Sequence, residues 1–345
     1  MNNDFLNKIF FSFWLLASLM CFKPARADDF FERVQKNGIV RCGIDPASHT
    51  LSKPKEIASF LFEGFDVDLC RALSLALFDD PSKAYFIPTT HKNPYKMLED
   101  EEVDILMNVP ITGRAESLYQ IDFPVADFHT FIKMITFFDE NKDSLKAFEG
   151  AKICVRDDLP VLESVDALNK TYHLNFKMIP VSSFEYGRDL FFAKECALYA
   201  DYEITLKSPL LAQTSQGKQA AILPDSLRHI AFGPAIKKGN PKASELVRLL
   251  LHSLIVAEEK NLTQTNLTEA YSSPDKEVSQ LLGLSPNAAS RLGASDRWIY
   301  KVLQAYGNYG EIYERNCGEA SDLKLPRGLN NLWHKGGLLW TPPLY

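Results

Sequence analysis

The sequence predicts an α/β protein of two lobes, each a mostly parallel sheet flanked by helices. Strand-like and helix-like segments alternate through the first part of the 345-residue chain, which is typical of a parallel sheet with helices on its faces. The same alternation restarts after Phe138. Farther on, apolar residues recur at helical spacing over 241–258 and 298–306, which predicts a helical C-terminal extension.

The first lobe opens with a helix that Gly38 ends and continues with a β-branched, alternating strand. Apolar residues then recur at helical spacing before the next strand. The expected elements, in chain order, are a helix over 30–38, a strand over 39–44, a helix over 68–78, a strand over 84–88, a helix over 95–102 and a strand over 103–107.

The second lobe follows an apolar strand over 132–138 and a polar run over 139–143. Its expected elements are a strand over 152–156, a helix over 161–170, a strand over 176–181, a helix over 184–193 and a strand over 196–199. No low-complexity linker separates the lobes, so we expect short strand-like crossovers about which the lobes can hinge.

The N-terminus carries an apolar run over 9–22 that leads to Ala25-Arg26-Ala27, a small-x-small pattern typical of signal-peptide cleavage. The run is shorter than the about 20 residues of a membrane span, and Lys23 stops it. We predict a cleaved signal peptide over 1–27 and an exported chain. An uncleaved anchor and a lipoprotein modified at Cys21 are the alternatives.

Charge and metal-ligating residues exclude two classes of function. Thirty-eight Lys and Arg against 44 Asp and Glu give a net charge of −6, so no global positive field can follow a phosphate backbone, and we expect no nucleic-acid binding. No CxxC pair occurs and the 7 His are scattered singly, so we expect neither a metal site nor a cofactor.

Several motifs along the chain carry a family likeness. They are Gly64-Phe65-Asp66-Val67-Asp68, Glu102-Val103-Asp104-Ile105-Leu106 and Ile111-Thr112-Gly113-Arg114, with Gly307-Asn308-Tyr309-Gly310-Glu311 and Arg327-Gly328-Leu329-Asn330 in the tail. In this order they resemble the periplasmic solute-binding proteins of the polar amino acid ABC uptake family (family 3). The tail resembles that family's general L-amino acid-binding subgroup.

The resemblance implies the two-lobed periplasmic-binding-protein fold (type II) and a periplasmic monomer. Such a protein captures an amino acid or an amino-acid-like molecule in the cleft between its lobes and delivers it to the permease of an ABC transporter. Phe232-Gly233-Pro234 resembles the family's crossover back to the first lobe. Lobe 1 with the C-terminal extension is therefore expected at 28–134 plus 234–345, and lobe 2 at 135–233.

The resemblance also implies roles for residues of the cleft. Arg114 matches the arginine that pairs with the ligand α-carboxylate, and Asp201 matches the aspartate that takes the α-ammonium. Phe62 is expected as an aromatic platform and Asp45 as a residue that sets side-chain selectivity. The alternatives are a surface arginine, a helix N-cap aspartate, and ordinary loop or core residues.

Two segments depart from the family pattern. Hydroxyl residues normally precede Ile-Thr, whereas this chain has Asn108 and Pro110 before Thr112, and proline has no N–H to donate. A Gly-Thr-Thr-like turn normally cradles the carboxylate at a helix N-terminus, whereas this chain has Asp157-Asp158-Leu159-Pro160. The expected ligand-binding residues are Asp45, Phe62, Asn108, Pro110, Thr112, Arg114, Asp158 and Asp201.

The carboxylate of Asp158 would repel a ligand carboxylate by about 4 kcal/mol at a separation of roughly 4 Å and an effective dielectric near 20. We therefore expect common zwitterionic L-amino acids to bind weakly, unless Asp158 turns away as a simple helix cap. A cationic ligand, or one without a free carboxylate, would avoid the conflict.

Two other functions are weighed against transport. Cyclohexadienyl dehydratases resemble the same two-lobed proteins, and Asp157, Asp158 and Asp201 are candidate general acids because a carboxyl in a closed cleft can have a raised pKa. No pair of acid and base stands out, so we expect a binding protein and not an enzyme. A sensory module would need an anchor or an attached signalling domain, which the sequence does not indicate.

Export permits disulfides, and five cysteines remain after cleavage. We expect Cys42 to pair with Cys70 and Cys154 with Cys196, because each pair joins the first strand of a lobe to an element of the same lobe. Cys317 would then be free. Five reduced, buried thiols are the alternative.

Overall fold

The computed structural model describes residues 30–344 except 48, 57–60, 90–93, 138–143, 215–219, 285–288 and 296. The predicted signal peptide over 1–27 and the polar run over 139–143 lie outside the described residues. No helix in the described ranges is long and apolar enough to cross a membrane.

The elements of the first part of the chain agree with the predicted order, with boundaries that differ by a few residues. They are α1 (Phe30–Asn37), β1 (Val40–Ile44), β2 (Lys53–Pro54), β3 (Phe62–Glu63), α2 (Phe65–Phe78), β4 (Ala84–Pro88), α3 (Pro94–Glu99), β5 (Ile105–Pro110), α4 (Gly113–Leu118), β6 (Ile121–Asp122) and β7 (Phe128–Phe137). The short helix α4 was not predicted, because it buries little apolar surface and depends on the Thr112 cap at its start.

The second part also follows the predicted alternation. Its elements are β8 (Lys152–Arg156), α5 (Leu159–Tyr172), β9 (Lys177–Val181), α6 (Phe184–Phe192), β10 (Leu198–Tyr202), α7 (Glu203–Leu206), α8 (Pro209–Thr214), β11 (Ala220–Ile222) and β12 (Arg228–Lys237). The extension holds α9 (Pro241–Glu259), α10 (Lys276–Leu281), α11 (Trp298–Tyr306) and α12 (Tyr309–Asn316).

A ten-stranded sheet runs through both lobes in the order β4-β1-β5-β12-β7-β10-β8-β9, with β11 on β7 and β6 on β12. Strands β4, β1 and β5 are parallel, as are β10, β8 and β9. Antiparallel β7 and β12 join these two parallel sets. The fold is thus the two-lobed α/β arrangement that the sequence predicts.

The two joining strands act as the crossovers between the parallel sets. They pair with each other through the register His129↔Ala231, and each spans ten residues. Gly233 lies within β12, where a Cβ would sit 2.3 Å from the carbonyl oxygen of Val125, so the crossover requires a residue without a side chain. The division into 28–134 plus 234–345 and 135–233 stays a prediction, with which this strand order is consistent.

Both predicted disulfides are confirmed. Cys42 bonds Cys70 with a Cα–Cα distance of 6.5 Å, and Cys154 bonds Cys196 at 5.6 Å. The first bond ties β1 to α2, and the second ties β8 to the loop before β10, because β10 begins at Leu198 and not at Cys196. Cys317 is a free, buried thiol.

The C-terminal extension is fastened both to the first lobe and to a crossover. Asp68 of α2 accepts hydrogen bonds of 2.8 Å from Arg315 and from Asn316. Farther along, the side chain of Asn330 accepts from the backbone N–H of His129 and donates to its carbonyl oxygen, at 2.6 and 2.9 Å. The tail therefore holds the β7 crossover in place.

Candidate functional site

A buried arginine lies where the two lobes face each other. Arg156 is the last residue of β8, and its guanidinium lies 3.5 Å from Asp201, 3.8 Å from Asp158 and 3.8 Å from Asp45. It also lies over the ring of Tyr202, 5.6 Å from the ring centroid. Three of the predicted ligand-binding residues are thus brought together around a residue that the sequence analysis did not single out.

The two sets of parallel strands explain why these residues lie close together. Asp45 directly follows β1, Arg156 ends β8, and Asp201 lies near the end of β10. Side chains at the carboxyl ends of parallel strands share one edge of a sheet, and in open α/β sheets that edge is where ligands bind. The crossovers turn the two edges toward each other, so that Asp45 faces Arg156.

Asp201 lies within β10, and not after the strand as the sequence predicted. Strand β10 extends to Tyr202 because its pairing with β7 continues through Asp201↔Lys133 and Tyr202↔Ile132. The Asp201 carboxylate is fully buried and accepts hydrogen bonds from the Tyr199 hydroxyl at 2.6 Å and from its neighbour's backbone N–H at 2.7 Å. Asp201 is therefore not a helix N-cap.

Asp158 occupies the N-cap position of α5 but makes no side-chain cap hydrogen bond. Its carboxylate accepts from the Tyr202 hydroxyl at 3.0 Å instead. Its backbone carbonyl accepts from the N–H groups of Val161 and Leu162, at 3.0 and 2.9 Å, and Pro160 has no N–H. The first turn of α5 consequently offers an anion few backbone donors.

Electrostatic interactions fix the charge states of Arg156 and of two tyrosines beside it. Burial lowers the pKa of Arg156, but Asp201, Asp158 and Asp45 raise it more, so the guanidinium is always charged. Burial and the neighbouring aspartates raise the pKa of the Tyr199 and Tyr202 hydroxyls well above the usual value, which keeps both as hydrogen-bond donors.

The predicted residues of the segment from 108 to 114 lie at the end of β5. Asn108 has a positive φ of 53°, and its side-chain oxygen is buried without a hydrogen-bond partner in the described part of the chain. The Pro110 carbonyl accepts from the Tyr95 hydroxyl at 3.3 Å, and the Thr112 hydroxyl caps α4 through the Ala115 N–H.

Arg114 is exposed, in contrast to Arg156. Its guanidinium lies 3.9 Å from Glu163 of α5, and the side chains are 62% and 56% exposed. The structure does not place Arg114 beside Arg156 and its three aspartates. The role implied by the resemblance stays a prediction.

Phe62 is also not brought to the group around Arg156. Its side chain is buried and packs edge-to-face on Phe86, with ring centroids 6.1 Å apart. Its role as an aromatic platform stays a prediction. Tyr199 and Tyr202 are aromatic residues that do contact this group, through Asp201 and Asp158. The sequence signal for Arg156 is a charged residue at the end of the apolar run Ile153-Cys154-Val155.

The site holds carboxylates without the arrangement of a metal centre. Among the residues whose placement is described, no group of three or more His, Cys, Asp or Glu side chains could hold a metal ion. The site offers a guanidinium and three carboxylates, two of which are held by the hydroxyls of Tyr199 and Tyr202. Such groups can bind ligand ammonium, amide and hydroxyl groups through charge-assisted hydrogen bonds.

Comparison with known proteins identifies relatives along nearly the whole chain. A general L-amino acid-binding periplasmic protein of Rhizobium johnstonii is 31% identical over 322 residues, which cover 90% of this chain and 91% of the relative. A glutamate/glutamine/aspartate/asparagine-binding protein of Rhodobacter capsulatus is 28% identical over 336 residues, 97% of this chain and 98% of that protein. No protein-family profile matches the chain.

A solved structure shares the whole architecture. The ABC transporter periplasmic binding protein of Brucella ovis with glutathione bound superposes with a TM-score of 0.85 at 28% identity, covering 92% of this chain and 99% of that chain. The C-terminal extension is included in this match, because the coverage is nearly complete on both sides.

Proposed function

Since the chain belongs to the family of periplasmic amino-acid-binding proteins of ABC transporters, we propose that it captures an amino-acid-derived small molecule at Arg156 and hands it to a membrane permease. The single observation that carries the site assignment is the group of Asp45, Asp158 and Asp201 around Arg156. These residues come from both predicted lobes, so a molecule bound among them would contact both.

The ligand class follows from two obstacles that the site presents to a free ligand carboxylate. A ligand carboxylate that approaches Arg156 competes with three carboxylates that already lie within 4 Å of it. At the start of α5, two backbone N–H groups already donate to the Asp158 carbonyl and Pro160 has none. A ligand whose α-carboxylate is masked, as in an amide or a peptide bond, avoids both obstacles and can still place its ammonium group against an aspartate.

We further propose that the protein is a binding protein without enzymatic activity. Of the three candidate acids, Asp157 is exposed, Asp158 accepts from Tyr202, and Asp201 is held by two short hydrogen bonds and Arg156. These contacts support binding, and they do not pair a candidate acid with a base among the described residues. The relatives of this chain are binding proteins, which supports the same conclusion.

Calorimetry on the exported chain tests the ligand class. L-glutamine and L-arginine would be compared with their α-amides, and glutathione would be included because the Brucella ovis relative carries it. We expect each amide to bind at least tenfold more tightly than its parent acid, a difference of about 1.4 kcal/mol. Mass spectrometry of molecules that copurify with gently prepared protein would identify the natural ligand.

Two neighbouring carboxylates give a matched pair of variants. Asp158→Asn should improve binding of the free acids, because it removes a charge beside Arg156, whereas Asp157→Asn should leave it unchanged, because Asp157 is exposed. The double change Asp158→Gly with Leu159→Thr should improve it further by giving the start of α5 an additional donor. Sub-micromolar binding of an unmodified L-amino acid at neutral pH, with no gain from the double change, would show that the ordinary family ligand is correct.

A further inference from the structure

A cavity of about 560 Å³ lies in the first lobe and shares no lining residue with the group around Arg156. Its walls come from the β3, β4 and α2 elements and from the end of α11. The residues that matter for its chemistry are Leu61, Phe62, Arg71, Tyr85, Phe86 and Tyr306. The volume lies within the range of small-molecule sites in proteins.

Four aromatic residues contribute to the lining of this cavity, and large apolar side chains are exposed at its rim. Phe62 and Phe86 pack against each other inside it. Leu61 and Tyr85 remain 59% and 58% exposed at its edge. Large apolar side chains that stay exposed around a concavity gain free energy when a ligand covers them.

Among the described residues that line the cavity, Arg71 is the one with a charged side chain. A terminal nitrogen of its guanidinium donates to the Phe62 carbonyl at 3.2 Å, and the group lies over the Phe86 ring, 5.5 Å from the ring centroid. Within the described ranges no carboxylate lies within 4.0 Å of this guanidinium. Arg33 and Arg41 of the same lobe, by contrast, share the carboxylate of Asp104 at 2.9 and 2.8 Å.

A guanidinium has five N–H donors in a planar fork that suits a carboxylate. The contact with Phe62 uses one of them, so donors remain for an anion. The Tyr306 hydroxyl is a further donor on the same wall, because burial raises its pKa to about 12 and keeps it protonated.

We propose that this cavity is a second small-molecule site, and that it takes a small monoanion with an aromatic or branched apolar body. The guanidinium of Arg71 favours one negative charge, and the aromatic side chains of the lining favour an apolar body. The site is separate from the interlobe ligand site, so it stands whether or not the proposed function holds.

Fluorine NMR with 4-fluorophenylacetate as the probe tests the site on the full exported chain. We expect saturable line broadening, and binding at least tenfold weaker for 4-fluorophenethyl alcohol, which has the same ring without the charge. Arg71→Met should weaken binding of the acid at least tenfold and abolish its advantage over the alcohol. The matched control Arg248→Met, at an exposed position of α9, should leave both unchanged.

Two more variants separate this site from the interlobe site and from loss of folding. Tyr85→Ala removes a largely exposed ring, so it should weaken the probe without unfolding the lobe. Asp201→Asn, in the interlobe group, should leave probe binding unchanged. The proposal is wrong if the acid does not bind at millimolar concentration, if acid and alcohol bind equally, or if Asp201→Asn removes binding while Arg71→Met does not.

Discussion

The guanidinium of Arg156 and the carboxylate of Asp45 lie 3.8 Å apart, and the two residues belong to different predicted lobes. Both side chains are largely buried, 11% and 19% exposed, so solvent screens their attraction only in part. The pair therefore favours the conformation in which the lobes meet. Arg114 and Glu163 also link the lobes, but both of those side chains are more than half exposed.

Asp45→Asn should loosen the contact between the lobes. The amide keeps the oxygen that accepts from the Ala47 N–H, but it loses the charge that attracts Arg156. We expect a larger radius of gyration in small-angle X-ray scattering of ligand-free protein, and a change in the free energy of unfolding below about 1 kcal/mol, because Asp158 and Asp201 still surround the guanidinium. The control Glu163→Gln should change neither quantity, and equal radii for Asp45→Asn and the unaltered chain would contradict the interpretation.

The fold was predictable from sequence because it depends on periodic patterns. Strand patterns indicated β1, β4 and β8 within one or two residues, and the cysteine pairs were expected because each joins the first strand of a lobe to another part of the same lobe. Strand β12 was expected only as a short crossover at Phe232-Gly233-Pro234, since its first residues Arg228 and His229 are polar and exposed and pair with β7 only in the folded chain.

The site was predictable only in part. The resemblance, and the departure from it at Asp158, drew attention to Asp45, Asp158 and Asp201 near the ends of predicted strands, and their roles in binding stay predictions. It could not indicate Arg156, since the family's ligand arginine was expected at Arg114. Whether an arginine points into the cleft depends on strand register and on the burial of its neighbours, which no local pattern in the sequence contains.

The disulfides should contribute strongly to stability. The bonded cysteines are 28 residues apart for Cys42–Cys70 and 42 residues apart for Cys154–Cys196. In the chain-entropy model each bond stabilises by about 4 kcal/mol, and we expect a loss of that size in urea unfolding when either pair is replaced by alanine. Peptide mapping without reduction that linked Cys42 to Cys154 would refute the pairing.

Cys317 should react with thiol reagents only after unfolding, since burial raises its pKa well above the usual value.

The two crossover strands bring a histidine pair together. His129 of β7 and His229 of β12 have ring nitrogens 3.1 Å apart. Burial first and the neighbouring His229 second lower the pKa of His129 to about 4, below its usual 6.5. Because the pKa of His129 is lower in the folded state than in the unfolded state, the neutral ring contributes to the free energy of unfolding. This contribution is complete above pH 6.5 and is lost as the pH falls toward 4.

His229→Gln should therefore reduce the loss of stability on acidification. It removes one of the two charges that would meet between the crossovers at low pH, while an amide can still hydrogen-bond His129. The measurement is the free energy of unfolding of the variant relative to the unaltered chain between pH 7 and pH 4, with NMR titration of the His129 ring. A His129 ring that titrates near pH 6.5 in the unaltered chain would show that the pair does not act in this way.

Two buried carboxyls, those of Asp66 and Asp127, should produce the opposite pH dependence. Asp66 accepts from the Ser52 hydroxyl at 3.0 Å, and its other carboxyl oxygen, like one oxygen of Asp127, is buried without a hydrogen-bond partner among the described residues. Burial raises the pKa of Asp66 to about 7, with a smaller contribution from the charge of Asp45. Burial, and then Asp66, raises the pKa of Asp127 well above its usual value.

Asp66→Asn should make the protein relatively more stable as the pH rises. A raised folded pKa means that the stabilising contribution of Asp66 is complete below pH 4, where both states are protonated, and is lost as the pH rises through about 7. The neutral amide has no charge to bury, so it does not show that loss. Between pH 4 and pH 8 we expect the free energy of unfolding of the variant, relative to that of the unaltered chain, to rise by about 1 to 4 kcal/mol, because one pKa unit corresponds to about 1.4 kcal/mol. Urea unfolding across this range measures the difference, and Asp225→Asn, at an exposed position, should give a flat profile. A flat profile for Asp66→Asn as well would mean that the Asp66 carboxyl is charged throughout this range, with its charge compensated by water or a cation between it and Asp127.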